Sequence, residues 1–451
     1  MVMLDQKSLS ALVDALKRLD AGFAKLPEYE SDAPGIARLA DVLKATAERL
    51  QDNFPYFHPL YAGQMLKPPH PVARLAYALA MWINPNNHAL DGGRATSAME
   101  KEAVAEIAAV FGWKHFLGHL CGGGTMANLE ALWVAGQLQP GKTILASEQA
   151  HYTHKRISAV LQLPFESVPC DGRGRMDVAA LAKRIAHGDV GTVVATTGTT
   201  ATGSVDALPE ILALREKHGF RVHADAAYGG YFVLTQNLGE NAARAFARIG
   251  EADSIVIDPH KHGLQPYGCG CVLFRDPAAG RLYRHDSPYT YFSSAELHLG
   301  EISLECSRPG AAAAALWATQ KLLPLTKKGE FAQGLERGTK AARVLFEKLK
   351  GDARFMTAFP PELDIVVFAP RAASVSEASR LTRLIFEAAA KRQLHLAVAE
   401  LPIPFWEEDL GAMKRDRETL TCLRSVLMKP EHLDWAERIW DLLSESTTEV
   451  L

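Results

Sequence analysis

Ser254-Ile-Val-Ile-Asp-Pro-His-Lys-His-Gly263 begins with a short apolar run that stops at a carboxylate and a proline, and Lys261 follows directly. Such a run, rich in β-branched residues and closed by Pro and Gly, reads as a strand. A lysine just past a strand end can point its amine into a cleft instead of bulk water. Desolvation there makes the amine nucleophilic toward an aldehyde. Most lysines are solvated, so this reading depends on what surrounds the segment.

Outward from it, short apolar runs alternate with helical periodicity between Leu117 and Phe274. The runs are 143–146, 192–197, 221–224, 254–257 and 270–274. This rhythm predicts an α/β domain with a mostly parallel sheet, whose ligand lies beyond the carboxyl ends of the strands. Before it, apolar residues at three and four spacing (Leu12, Leu16, Leu19), broken near Pro27 and Pro34, predict helical arms. Helical patterns resume over 71–82 and 95–111, with 84–93 expected as a loop and possible pocket wall. After a helical run over 310–323 and the breaker Pro324, helix, strand and helix patterns define a smaller α+β unit. The expected organisation is an N-terminal helical arm (1–70), a large α/β domain (71–325) and a C-terminal α+β domain (326–451).

A chain of 451 residues with 48% hydrophobic and 22% charged residues can bury more than one core and has the balance of a folded protein. Its net charge of −3, without a basic block, offers nothing for nucleic acid or an anionic membrane, so a small molecule is the expected partner. Six cysteines with no C-x-x-C pair make no disulfide framework, and no apolar run is long enough to span a bilayer or act as an export signal. The expected setting is the cytoplasm. Cys269 and Cys271 read as strand residues, and no metal site is expected.

Three further segments carry chemistry. In His223-Ala-Asp225-Ala-Ala-Tyr-Gly-Gly230 an aspartate ends a strand and small residues follow, leaving room for a flat ring. Cys121-Gly-Gly-Gly-Thr-Met-Ala-Asn128 precedes a helix, so free amides and a hydroxyl can meet an anion there. It is neither a Walker loop nor a full G-x-G-x-x-G, and suits a single phosphate. His151 and His154 stand one helical turn apart after a strand. With no third ligand nearby, an imidazole stacked on a ring is a better reading for His151 than a metal pair.

Together, in order, Gly-Gly-Gly-Thr, Gln-Ala-His, Thr-Gly-Thr-Thr, His-Ala-Asp-Ala-Ala-Tyr and Asp-Pro-His-Lys resemble the group II pyridoxal-phosphate-dependent amino-acid decarboxylases, a family acting on glutamate, aromatic amino acids, tyrosine and diaminobutyrate. The resemblance runs from His58-Pro through Thr96-Ser-Ala-Met-Glu-Lys-Glu to Leu423-Arg-Ser-Val-Leu-Met-Lys-Pro430. It implies the fold-type I architecture of pyridoxal-phosphate transferases, a homodimer, and decarboxylation of a small L-amino acid through a Lys261 Schiff base and a quinonoid intermediate.

Position by position, the resemblance implies Lys261 as the Schiff-base lysine, Asp225 as partner of the pyridinium nitrogen, His151 as the stacking histidine and Ala227 as the small residue under the ring. Gly124, Thr125 and His260 match phosphate contacts. Thr200 matches a contact to the phenolic oxygen, and Ser254 and Asp206 match supporting polar positions. Arg424 matches an arginine that meets a substrate carboxylate. His88 and Arg94, with Asn87 and Asp91, lie in the stretch matching the substrate-contacting region. Tyr289 and Tyr291 fall where relatives carry a loop tyrosine that protonates the product carbanion. Asp258 and His262 depart from the asparagine and tryptophan frequent in relatives. An aminotransferase, aldolase or lyase reaction, or non-enzymatic cofactor binding, stays open as an alternative.

Overall fold

The computed structural model describes residues 5–27, 35–284 and 297–451. Two helices lead, α1 (Gln6–Ala21) and α2 (Leu39–Leu50). Then come α3 (Pro71–Met81) and α4 (Leu90–Val110). The central unit runs β1 (Leu117–Cys121), α5 (Gly124–Leu138), β2 (Thr143–Ser147), α6 (Thr153–Val160), β3 (Phe165–Val168), α7 (Val178–Ile185) and β4 (Val190–Thr196). It continues through α8 (Leu208–His218), β5 (Arg221–Asp225), α9 (Glu240–Arg248), β6 (Ser254–Ile257) and β7 (Gly270–Phe274). The chain closes with α10 (Gly310–Leu322), α11 (Glu330–Gly351), β8 (Phe355–Thr357), β9 (Ile365–Pro370), α12 (Val375–Lys391), β10 (Ala397–Pro402), β11 (Thr419–Val426) and α13 (His432–Val450).

The large sheet has seven strands in the order β1-β7-β6-β5-β4-β2-β3. Strands β3, β2, β4, β5 and β6 pair in parallel, and β7 runs antiparallel to both neighbours. Every residue of β2, β6 and β7 is buried, the condition for a strand covered by helices on both faces. Helix starts are encoded locally: the Asp177 carboxylate accepts from the Ala179 and Ala180 amides at the start of α7, and the Ser374 hydroxyl from the Glu377 amide at α12. The small sheet is antiparallel, β10-β11-β9-β8. Leu345, Phe368, Ile385, Leu423 and Ile439 from α11, β9, α12, β11 and α13 share one core on it.

One detail differs from the sequence reading. Residues 84–93 are not all loop, because α4 begins at Leu90 and absorbs a break at Gly93 (φ −163°, ψ 56°). Helices α1 and α2 bury no residue and expose Leu9, Val13, Leu39, Val42, Leu43 and Leu50. None of the described helices is long and apolar enough to cross a membrane.

Candidate active site

Because β1, β2, β4, β5 and β6 point the same way, their carboxyl ends meet on one rim. A cavity of about 500 Å³ lies there. The motif segments at the ends of these strands reach it: Gly124 and Thr125 after β1, His151 after β2, Thr200 after β4, Asp225 and Ala227 at the end of β5, and His260 and Lys261 after β6.

The glycine turn is shaped by close packing. Gly123 has φ +137°, a conformation side chains resist, and Gly124 opens α5 at the cavity wall, where the first amides of a helix have no partner within it. Antiparallel pairing of β1 and β7 sets Cys121 opposite Gly270 and lays β7 directly under the turn. A Cβ on Gly270 would stand 2.5 Å from the Gly123 carbonyl carbon and 2.6 Å from its Cα. Backbone cannot step aside cheaply, so Gly270→Ala is expected to cost about 1–3 kcal/mol of stability and to weaken anion binding at the turn. A urea midpoint together with a phosphate-ester titration checks this, and a variant unchanged in both would contradict it.

The tight turn after β6 orients Lys261. Its amide donates to the Asp258 carbonyl (2.9 Å) and the His260 amide to the Cys269 carbonyl (3.0 Å). The Lys261 amine lies 3.0 Å from Asp258 Oδ2, with its side chain 22% exposed against 2% for Asp258. Asp258 sits beneath the glycine turn, where a Cβ on Gly124 would come within 2.6 Å of its Oδ2. His260 Nδ1 and Asp258 Oδ1 are buried without a protein partner. Burial holds His260 below the usual imidazole pKa.

Asp225 ends β5 almost wholly buried. Its Oδ2 accepts from His154 Nε2 at 2.8 Å, and its Oδ1 from the Ala227 amide at 3.2 Å. Burial alone would raise the carboxyl's pKa, but the His154 hydrogen bond and the electrostatic pull of His154, His223 and Lys261 outweigh it and keep Asp225 ionised. His223, two residues back, is locked between Asn128 Oδ1 and the Ser254 hydroxyl, both at 2.8 Å, and burial lowers its pKa to about 3. It is therefore neutral, donating from Nε2 and accepting at Nδ1.

His151 is partly buried over the cavity. The Thr153 amide donates to its Nδ1 (3.3 Å) and the Thr153 hydroxyl lies 2.7 Å from the same atom. An amide can only donate, so Nδ1 carries the lone pair and the ring proton sits on Nε2. Burial lowers the His151 pKa from its ordinary 6.5.

Several expected contacts do not meet at the cavity. Ser254 lies behind it, bonded to His223. Arg424, 4% exposed, spends its donors on Thr200 O (2.6 Å), Ala201 O (3.0 Å), Gly63 O (3.1 Å) and Gln64 Oε1 (3.2 Å), which anchors the loop bearing Thr200. Asn87 is buried on Glu100 and Thr96, Arg94 is exposed on α4, and His88 packs against Gly300; none of the three lines the cavity. Asp206 accepts from the Met176 and Thr196 amides, both at 2.7 Å, and pins β4 from behind. His262 is buried edge-on to Tyr228 and Phe232. Tyr289 and Tyr291 lie outside the described residues. Sequence reasoning passed over Glu305, whose Oε2 accepts from the Gly122 amide (3.0 Å) at the cavity edge, and over His154 as partner of Asp225. The one-turn spacing of His154 from His151 was the available signal.

The arrangement defines a class. Residues 133–371, over half of the chain, match the pyridoxal-dependent decarboxylase conserved domain, and the chain belongs to that family of pyridoxal-phosphate-dependent amino-acid decarboxylases. It is 29% identical to an L-tyrosine decarboxylase of Enterococcus faecium over 69% of this chain and 67% of that one. It is 28% identical to a probable L-tyrosine/L-aspartate decarboxylase of Methanothermobacter thermautotrophicus over 68% and 82%. The match spans 63% of an L-tyrosine decarboxylase of Levilactobacillus brevis, so this chain corresponds to about two thirds of the bacterial relatives' length. In fold it is similar to mouse CSAD (TM-score 0.76, 20% identity, 97% of this chain and 99% of that one). It is likewise similar to Oryza sativa TDC solved with PLP and tryptamine (TM-score 0.77, 18% identity, 100% and 99%).

The residues present fit pyridoxal phosphate. At the glycine turn a Cβ on Gly124 would strike Asp258 and one on Gly123 would crowd His260, so the backbone there lies bare beside the cavity, and His260 Nδ1 and Thr196 Oγ1 are buried polar atoms lacking a protein partner. Ala227 leaves the space beside Asp225 free of a large side chain.

Proposed function

We propose that this chain removes the α-carboxylate of a small L-amino acid, with Lys261 as the amine that holds the cofactor. The observation carrying this reading is the convergence of Lys261, Asp225, His151 and the glycine turn on one cavity. The names of the relatives put L-tyrosine and L-aspartate first among substrates to assay.

When bound, pyridoxal phosphate supplies an aldehyde that captures the substrate amine and a ring that withdraws the electron pair left by departing carbon dioxide. Lys261 is the amine that would hold that aldehyde carbon, and Asp258 Oδ2, 3.0 Å from its Nζ, orients it. Asp225, ionised and dry, holds a proton on the ring nitrogen. Gly124, Thr125 and His260 take the phosphate. Thr200, fixed by Arg424, borders the ring's phenolic oxygen. His151 would cover the ring face as the neutral imidazole, and Lys261, Tyr289 or Tyr291 is the proposed donor of a proton to the carbon that lost the carboxylate. Ser254 supports the site through His223, Arg424 supports it by holding the Thr200 loop, and His88 and Arg94 stand apart from the cavity.

A second copy of the chain is the proposed partner, supported by the unburied apolar residues of α1 and α2. The cysteines of the described residues are free thiols, in keeping with a proposed cytoplasmic setting.

The pH dependence has a definite sign. A lowered pKa means that His151 loses its extra proton earlier as pH rises, so the neutral ring prevails at and above pH 6.5. The acid limb of kcat is expected below pH 6.5, and His151→Phe should abolish that limb along with most of the rate. An acid limb unchanged in His151→Phe would remove the histidine from this role.

Carbon dioxide measured over a panel of L-amino acids tests the reading. Release from one acid, with the matching amine, supports it. Amino-acid consumption without carbon dioxide would replace it with transamination or another lyase reaction.

A further inference from the structure

Among the described residues His154 is the one side chain hydrogen-bonded to Asp225, yet it does not line the cavity. It stands in the first turn of α6, its amide donating to the His151 carbonyl (3.1 Å), so a single turn of chain carries both histidines. His151 faces the cavity and His154 turns inward to the β5 carboxylate.

The inward histidine is 1% exposed, and its Nδ1 is buried with no partner. Burying an unpaired ring nitrogen is unfavourable, and an apolar side chain of similar size would avoid that cost. What the imidazole uniquely supplies is the Nε2–H donated to Asp225 Oδ2 at 2.8 Å. A carboxylate has two oxygens and a rotatable plane, and this bond fixes the plane. Oδ1 then keeps spare acceptor capacity, since only the Ala227 amide reaches it, at a long 3.2 Å. Charged and titratable groups facing the pair are His223 from β5, His151 from the turn before α6, and Lys261 and Asp258 from the turn after β6. Neutral His223 is already bonded at both nitrogens and cannot take over the task.

We propose that His154 is the positioning residue for Asp225: it holds Oδ2 so that Oδ1 is the oxygen offered to the cofactor's ring nitrogen, and its donated proton sets how firmly that nitrogen stays protonated. This rests on the role given to Asp225 above.

The test replaces His154 by Phe, which fills the space without a donor, and by Gln, whose amide can donate from nearly the same place. Both are made in the wild-type and Asp225→Ala backgrounds. Pyridoxal phosphate affinity by equilibrium dialysis without substrate, the visible band of the bound cofactor against pH, and kcat and KM are read for each. His154→Phe should bind the cofactor roughly tenfold or more weakly and shift the band, with kcat falling and KM held within about threefold. His154→Gln should recover most of the loss. In the Asp225→Ala background His154→Phe should cost nothing further, because the histidine acts through the carboxylate.

A His154→Phe protein with wild-type affinity and band, or one that loses as much without Asp225 as with it, overturns the proposal. Should His154→Phe fail to fold, His154→Gln decides: affinity within about threefold supports the donor role, and a folded His154→Gln protein with tenfold weaker binding overturns it. Failure of the wild-type protein to bind the cofactor would instead strike at the role of the whole site.

Discussion

Lys261→Ala is expected to lose decarboxylation by roughly 10⁴-fold, the largest effect of any single substitution in the chain. The amine stands where the end of β6, the buried Asp258 carboxylate and the glycine turn meet, with Nζ 3.0 Å from Asp258 Oδ2. Removing it takes away the covalent anchor and the exchangeable amine together, and no other lysine lines the cavity among the described residues. The fold should survive, because a side chain 22% exposed at a cavity wall leaves little void on truncation. Asp258 would then keep only the more distant His260 Nε2, 3.5 Å from its Oδ2, so phosphate-ester binding should also weaken. Borohydride reduction followed by peptide mapping is the direct check: the wild-type protein should carry the pyridoxyl label on Lys261 and the variant should carry none. A variant that turned over at the wild-type rate would end this account.

Asp225→Ala comes second, with kcat expected to fall by roughly 10²–10³-fold, the scale of removing a preorganised charge from a dry site. The carboxylate is ionised despite burial because His154 and Lys261 offset the desolvation. Its loss leaves His154 Nε2–H without an acceptor in the core, so a further cost of about 1–3 kcal/mol in stability is expected. Asp225→Asn separates the two effects. Asparagine can still accept from His154 but carries no charge to keep the ring nitrogen protonated, so stability should be nearly wild type while kcat falls as far as in the alanine variant. Urea unfolding and steady-state kinetics on the two proteins read this directly, and an asparagine variant that kept its rate would show that the charge is dispensable.

Much of this was legible because the decisive residues sit at strand ends. The apolar runs at 254–257 and 270–274 coincide with β6 and β7, and the motifs that follow β1, β2, β4, β5 and β6 had to converge once those strands lay parallel. The edge strand β3 escaped notice: Phe165 is half-buried and Glu166 and Ser167 are exposed, so it has no apolar run. The reversal of β7 was equally hidden, since strand direction is set by the connection and not by the residues within the strand. Side-chain direction was the harder problem. Arg424 carries a charge that suggests a ligand, yet packing across 223 residues turns it onto the Ala201 carbonyl. His154 meets Asp225 across 71 residues, and local spacing could only pair it with His151.

The central claim is loss of the α-carboxylate at the Lys261 site. The most direct measurement follows carboxyl-labelled L-tyrosine and L-aspartate with the cofactor-loaded protein, counting labelled carbon dioxide against amine formed. The account predicts equal amounts of both from one of these acids, or from another small L-amino acid on the panel. Disappearance of the amino acid with the label retained in a keto acid would contradict it.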